Sequence, residues 1–172
     1  LSYSKMDLIR FAPKKDGRRV NTDSESTSLW FSLERNLERS SLKLSHLLVD
    51  ANKGIPPAGH IDPSIKKPRY WRYPNWNLQQ TTLNLSHNFN GDTFIKLTSW
   101  LQQFEQTINQ YDDMEYLSIE RSEDDKDTTK GLRLVLNMDR NNIGARLIGN
   151  YQTTVHYQDD AKYKSLLVSP RE

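Results

Sequence analysis

Between residues 54 and 74 the chain carries Gly54, Pro56, Pro57, Gly59, Pro63, Pro68 and Pro74. Proline locks φ, lacks an amide hydrogen and clashes with the preceding helical turn, so this stretch excludes a long helix or a central strand. Residues 51–77 therefore read as one long connection. A connection of that length inside a compact domain tends to be functional or disordered. The fold has to be assembled from what lies on either side.

Before the connection, Thr27 or Ser28 offers an N-cap and Trp30, Leu33 and Leu37 recur at helical spacing, which predicts a helix over 28–39. Leu42, Leu44 and Leu48 predict a short strand. After it, Leu83, Leu85, His87 and Phe89 alternate with polar residues and predict a strand over 78–89. Gly91 and Asp92 turn the chain. Phe94, Leu97, Leu101, Phe104 and Ile108 follow at spacings of three and four, the pattern of an amphipathic helix. Leu117 and Ile119 begin a strand, SEDDKDTTKG reads as a charged hairpin tip, and Leu132, Leu134, Leu136 and Met138 form the returning strand. A turn over 140–144 leads to a last strand through Ala145, Leu147, Tyr151, Thr153, Val155 and Tyr157.

The expected fold class is therefore α+β: a ferredoxin-like αββαββ sandwich with a long proline-rich insertion and an extra C-terminal strand. The expected organisation is a basic and polar tail and linker over 1–27, a single α+β domain over 28–158 with its insertion at 51–77, and a C-terminal tail over 159–172.

Hydrophobic residues make up 35% of the 172 residues, against roughly 45–50% in average globular proteins. Much of the chain must then be loop, tail or partner-facing surface. No run approaches the ~18 apolar residues of a membrane-spanning helix, which leads to the expectation of a soluble chain. It starts at Leu1, as a chain whose anchor or signal had been removed would. There is no cysteine, which excludes disulfides, thiolate metal sites and cysteine nucleophiles. The net charge of +2 hides an asymmetry. Residues 1–20 are basic, with Asp7 and Asp16 as the only acids, and 112–127 are acidic, with Arg121 and Lys126 as the only bases. Such a chain steers partners or associates head to tail, or simply presents two solvated surfaces.

Catalytic chemistry finds no support. His46, His60, His87 and His156 show no i, i+4 pairing and no metal spacing. A calcium loop starting at Asp125 would need Gly at 130 and Glu at 136, where the chain has Lys130 and Leu136. Phosphate-binding glycine loops and a nucleophile elbow are missing. No carboxylate pair sits where one member would be desolvated. The expectation is a non-enzyme with no cofactor, no metal and no small-molecule substrate.

The sharpest binding signal is KKPRYWRYPNW. Lys66, Lys67, Arg69 and Arg72 suit phosphates, while Tyr70, Trp71, Tyr73 and Trp76 suit base stacking or a membrane interface. Lys14, Lys15, Arg18 and Arg19 would add electrostatic affinity. The plainer reading has the aromatics pinning a proline-rich loop onto the fold with the cations left in water. Trp100 is the candidate for a protein interface.

Across TTLNLSHNFNGDTFIKLTSWLQQFEQ and YLSIERSEDDKDTTKGLRLVLNMDR the expected element order resembles the periplasmic ferredoxin-like domains of PilO- and GspM-type assembly proteins of type IV pili and type II secretion. That resemblance implies a non-catalytic, membrane-anchored periplasmic scaffold that forms a homodimer or a hetero-complex. The alternative is a viral matrix-like structural protein that binds nucleic acid or an anionic membrane surface through its basic aromatic segment.

Overall fold

The computed structural model describes residues 14–15, 18–59, 62, 64–140 and 143–167, with side chains described for 19–59, 62, 64–139 and 143–163. Two short strands, β1 (Lys14–Lys15) and β2 (Arg18–Arg19), form a hairpin. Six long strands then follow: β3 (Ser24–Asn36), β4 (Ser40–Ile55), β5 (Tyr70–Asn90), β6 (Thr93–Tyr111), β7 (Ser118–Arg140) and β8 (Ile143–Leu167). They form one antiparallel sheet in the order β3-β4-β5-β6-β7-β8, each strand paired with its sequence neighbours. No helix occurs among the described residues, so the expected α+β ferredoxin-like αββαββ sandwich is replaced by an all-β meander.

The physical reason lies in which periodicity governs. Over 92–108 the helical spacing selects Phe94, Leu97, Leu101, Phe104 and Ile108. The run also contains Ile95, Trp100 and three threonines, residues that favour a pleated strand. On β6, Ile95, Leu97 and Leu101 share one face and Phe94, Trp100, Phe104 and Ile108 the other. In 28–39 the decisive set is Leu29, Phe31 and Leu33, which alternate along β3 and pair with Leu48, His46 and Leu44 of β4.

SEDDKDTTKG is the middle of β7 rather than a hairpin tip. Its charges find cross-strand partners, which offsets their low strand propensity. Lys126 pairs with Glu105 at 3.6 Å, and the Asp124 and Asp125 carboxylates accept from Thr107 at 2.6 Å and Gln106 at 2.7 Å. The connection between β4 and β5 is 56–69, shorter than the expected 51–77 insertion. Pro74 lies inside β5, at a register shift between Arg72 and Asn75. A strand tolerates proline at such an irregularity because its missing amide hydrogen leaves no ladder bond unmade. The expected C-terminal tail is strand as far as Leu167.

Connections alternate in length. β3–β4, β5–β6 and β7–β8 are joined by residues 37–39, 91–92 and 141–142 at one end of the sheet, whereas 56–69 and 112–117 lie at the other. Among the described elements nothing is stacked on the sheet. Among the described residues the buried apolar side chains are Pro57, Tyr111 and Val135.

Candidate functional site

The strand registers sort the side chains into two faces. One face carries Leu29, Phe31 and Leu33 of β3, Leu42, Leu44 and Leu48 of β4, and Leu83 and Leu85 of β5. It continues through Ile95, Leu97 and Leu101 of β6, Leu132, Leu134, Leu136 and Met138 of β7, and Ile143, Leu147 and Tyr151 of β8. Together they make an unbroken apolar belt across all six strands, nearer the short-turn end. Towards the other end the same face becomes polar, with Asp50, Asn77, Gln79, Gln103, Glu105 and Lys126.

At the level of the belt, the opposite face carries Ser41, Lys43, Ser86, Asn84, Lys96, Thr98, Arg133, Arg146 and Asn150, interspersed with Trp30, Leu47, Phe94, Val135 and Ile148. Further towards the long loops it holds an island of Leu78, Trp76 and Phe104, the last two rings meeting edge to face at 5.3 Å. Trp100 sits on this face too, opposite Gly131.

Val135 (7%), Asp125 (8%) and the buried Gly131 all belong to the polar face. The belt residues Leu132 (43%), Leu134 (37%) and Leu147 (64%) are open. On the polar face Lys96, Arg133, Arg146 and Asn150 are also exposed, and in the belt Leu48, Ile95, Leu97 and Leu136 are half-buried.

The belt also drifts. Following hydrogen-bonded partners from Phe31 leads through His46, Thr81 and Leu101 to Lys130. The apolar stretch of β7 is centred at position 135, so it has moved five residues over four strand steps.

Loopward of the belt the polar face is laced with ion pairs and hydrogen bonds. Arg121 Nε donates to Asp160 at 3.0 Å, and its guanidinium stands 3.5 Å from Glu123. His156 Nδ1 lies 2.6 Å from an Asp127 oxygen, and that hydrogen bond raises the imidazole pKa above its ordinary value. Burial raises the Tyr73 hydroxyl, with Glu123 and Asp125 adding to the effect. Burial also pushes Tyr116 up to about 12.

The basic aromatic segment is dispersed rather than gathered into one patch. Tyr70 packs edge-on against Tyr116 at 5.9 Å, and Arg72 pairs with Asp23. Lys53 sits 5.1 Å over Tyr73 and 4.7 Å over Trp76. The Arg69 guanidinium lies 5.0 Å over Trp71, while Lys66 and Lys67 are exposed on the 56–69 connection. Arg19 donates to the Pro57 carbonyl at 3.0 Å. The side chains of Lys14, Lys15 and Arg18 lie outside the described residues.

The belt itself escaped the sequence reading. Its signal was the period-two alternation in β3 and β6, overlaid there by residues at helical spacing.

No family model, curated protein or solved structure matches this chain.

Proposed function

We propose that the chain is a non-catalytic wall segment of a transmembrane β-barrel, its leucine belt against lipid acyl chains and its polar face towards a water-filled interior. The observation that carries this reading is the continuous leucine belt, left uncovered on one face of the sheet. A sheet in water buries its apolar face and wets its polar one, whereas a barrel in lipid alternates apolar out and polar in.

The drift of the belt supports it quantitatively. Barrel strands tilt by about 40°, so a level apolar band must step along neighbouring strands by about 4 Å, or roughly 1.2 residues, per strand. The observed drift is five residues in four steps. Short turns at one end and longer connections at the other have the same arrangement as in outer-membrane-type barrels. Lys43, Lys96, Arg133 and Arg146 stand directly behind the belt, and charges at that depth are tolerated where they meet water.

No helix among the described residues is long and apolar enough to cross a membrane, and that test does not bear on strands. The open edges of β3 and β8 are the natural joints to further strands, since barrels of this kind start at about eight. In this form the chain keeps the expected role of a scaffold that joins a larger assembly.

The absence of cysteine makes the test direct. Single-cysteine variants Leu134→Cys and Thr98→Cys, one on each face, are labelled with an environment-sensitive nitrobenzoxadiazole and reconstituted in phosphatidylcholine vesicles. The label at 134 should shift to the blue and be quenched by spin-labelled lipids. The label at 98 should stay open to aqueous quenchers. Equal water access at both positions would overturn the reading. So would shielding of 134 by dimerisation in lipid-free buffer, which would instead mark the belt as an interface between copies.

A further inference from the structure

At the long-loop end, far from the belt, the 56–69 connection folds against the ends of β4 and β5 and encloses a cleft of ≈ 340 Å³. Its walls are apolar: Ile55, Pro56, Pro57 and Trp71. Its rim is cationic: Lys66, Lys67 and Arg69. The cleft is built into the fold. Pro57 is buried and its carbonyl accepts from Arg19 at 3.0 Å, and the backbone amides of Ile65 and Lys66 both bond the Asp62 carbonyl. Arg69, which also lines the cleft, is held 5.0 Å over the Trp71 ring.

Among the described residues no carboxylate forms an ion pair with Lys67 or Arg69. Glu120 shares an adjoining hollow with both but makes no such contact. An apolar slot of this size, closed on one side by an indole and rimmed by cations, complements a flat or short-chain apolar body bearing an anionic head.

We infer that the cleft between the 56–69 connection and Trp71 is a binding site for a soluble amphipathic anion, an aromatic or short acyl phosphate or carboxylate. The choice of a soluble ligand over a lipid headgroup rests on the barrel reading. Trp71 lies 12 residues along β5 from Leu83 at the edge of the belt, roughly 41 Å of strand and about 30 Å of height at a tilt near 40°. That places the cleft beyond the lipid of its own bilayer.

The probe is 2-naphthyl phosphate, titrated by calorimetry into the full chain in non-ionic detergent, with 2-naphthol and inorganic phosphate as the two halves of the ligand. The expected result is one saturable site for 2-naphthyl phosphate, with each half binding at least about ten-fold more weakly. Trp71→Ala and the pair Lys67→Glu with Arg69→Glu should each lower affinity at least about ten-fold while the strand circular-dichroism signal is retained. Binding untouched by both changes, or equal binding of all three probes, would overturn the site. Anionic phosphatidylglycerol vesicles that bind through Trp71 and displace the probe would overturn the soluble source. Leu134→Lys, which should abolish membrane insertion, should leave naphthyl phosphate binding unchanged. A failure of the barrel reading is thereby told apart from a failure of the cleft.

Discussion

The indole of Trp100 on β6 occupies the space above Gly131 on β7, where any added Cβ would overlap its six-membered ring. The two residues are direct cross-strand partners, and the glycine lets the aromatic lie close to the backbone of the next strand. Trp100 was the residue expected at a protein interface. In the fold it packs within the sheet, so Trp100→Ala should read out as lost stability. Gly131→Ala should cost about 1–3 kcal/mol by overpacking. The double variant should cost less than the sum of the single ones, because removing the indole removes the overlap. Urea unfolding of the detergent-solubilised chain measures all three.

Charge placed on the two faces should have opposite consequences. Leu97→Arg or Leu134→Arg puts a cation in the belt and should cost about 2–4 kcal/mol of folding in lipid. Thr98→Arg, on the opposite face at the same level, should change folding by no more than about 1 kcal/mol. The folded fraction in vesicles at graded urea concentrations distinguishes the two. Equal effects would mean that the belt does not meet lipid.

The His156–Asp127 pair, which stands loopward of the belt, gives a pH dependence of defined sign. The folded-state pKa of His156 is raised above the ordinary 6.5, chiefly by the hydrogen bond that its ring N–H donates to the Asp127 carboxylate. A group raised on folding contributes stability that is fully present below its unfolded pKa and is lost as pH rises through the folded one. The pair should therefore hold β7 to β8 best below about pH 6.5 and loosen in the alkaline direction. Proton NMR titration of the imidazole should show the raised pKa, and Asp127→Asn should bring it back down.

Asn21 joins three segments at the long-loop end. Its φ of 58° is left-handed, and its side-chain Nδ2 donates to the Ile55 carbonyl at 2.9 Å and the Trp71 carbonyl at 2.5 Å. Asn21→Ala removes both bonds and leaves the left-handed backbone without a residue suited to it, for a loss of about 2–4 kcal/mol. Asn21→Gly keeps the backbone and should lose less. Thermal unfolding of the two variants ranks them, and an alanine variant as stable as the wild type would show the bonds to be idle.

Half of the sheet could be read from the sequence. The alternation through Leu83 and Leu85, the Gly91–Asp92 turn, the run from Leu132 to Met138 and the period-two pattern after Ala145 each fall in a strand or a turn of the observed meander. β3 and β6 could not, because both faces of those strands carry some apolar side chains. Leu97 and Leu101 on one face and Phe94, Phe104 and Ile108 on the other combine into false helical spacing. The acidic run in β7 was misread because a string of aspartates favours a loop until Thr107, Gln106 and His156 are brought opposite it. The candidate membrane face was hidden for a related reason. Each strand contributes only two to four belt residues and then continues for many polar ones, so mean hydropathy stays at −0.83 and no single run stands out.

Because every long strand pairs only with its sequence neighbours, the sheet has the lowest contact order that an antiparallel sheet of such long strands permits. Its hairpins can zip one onto the next from the tight turn at Gly91 and Asp92, with no strand waiting for a distant partner. The hairpin is then also the unit of change. Adding or deleting one, such as β7 with β8, would change the breadth of the sheet by two strands and leave the remaining pairings in register.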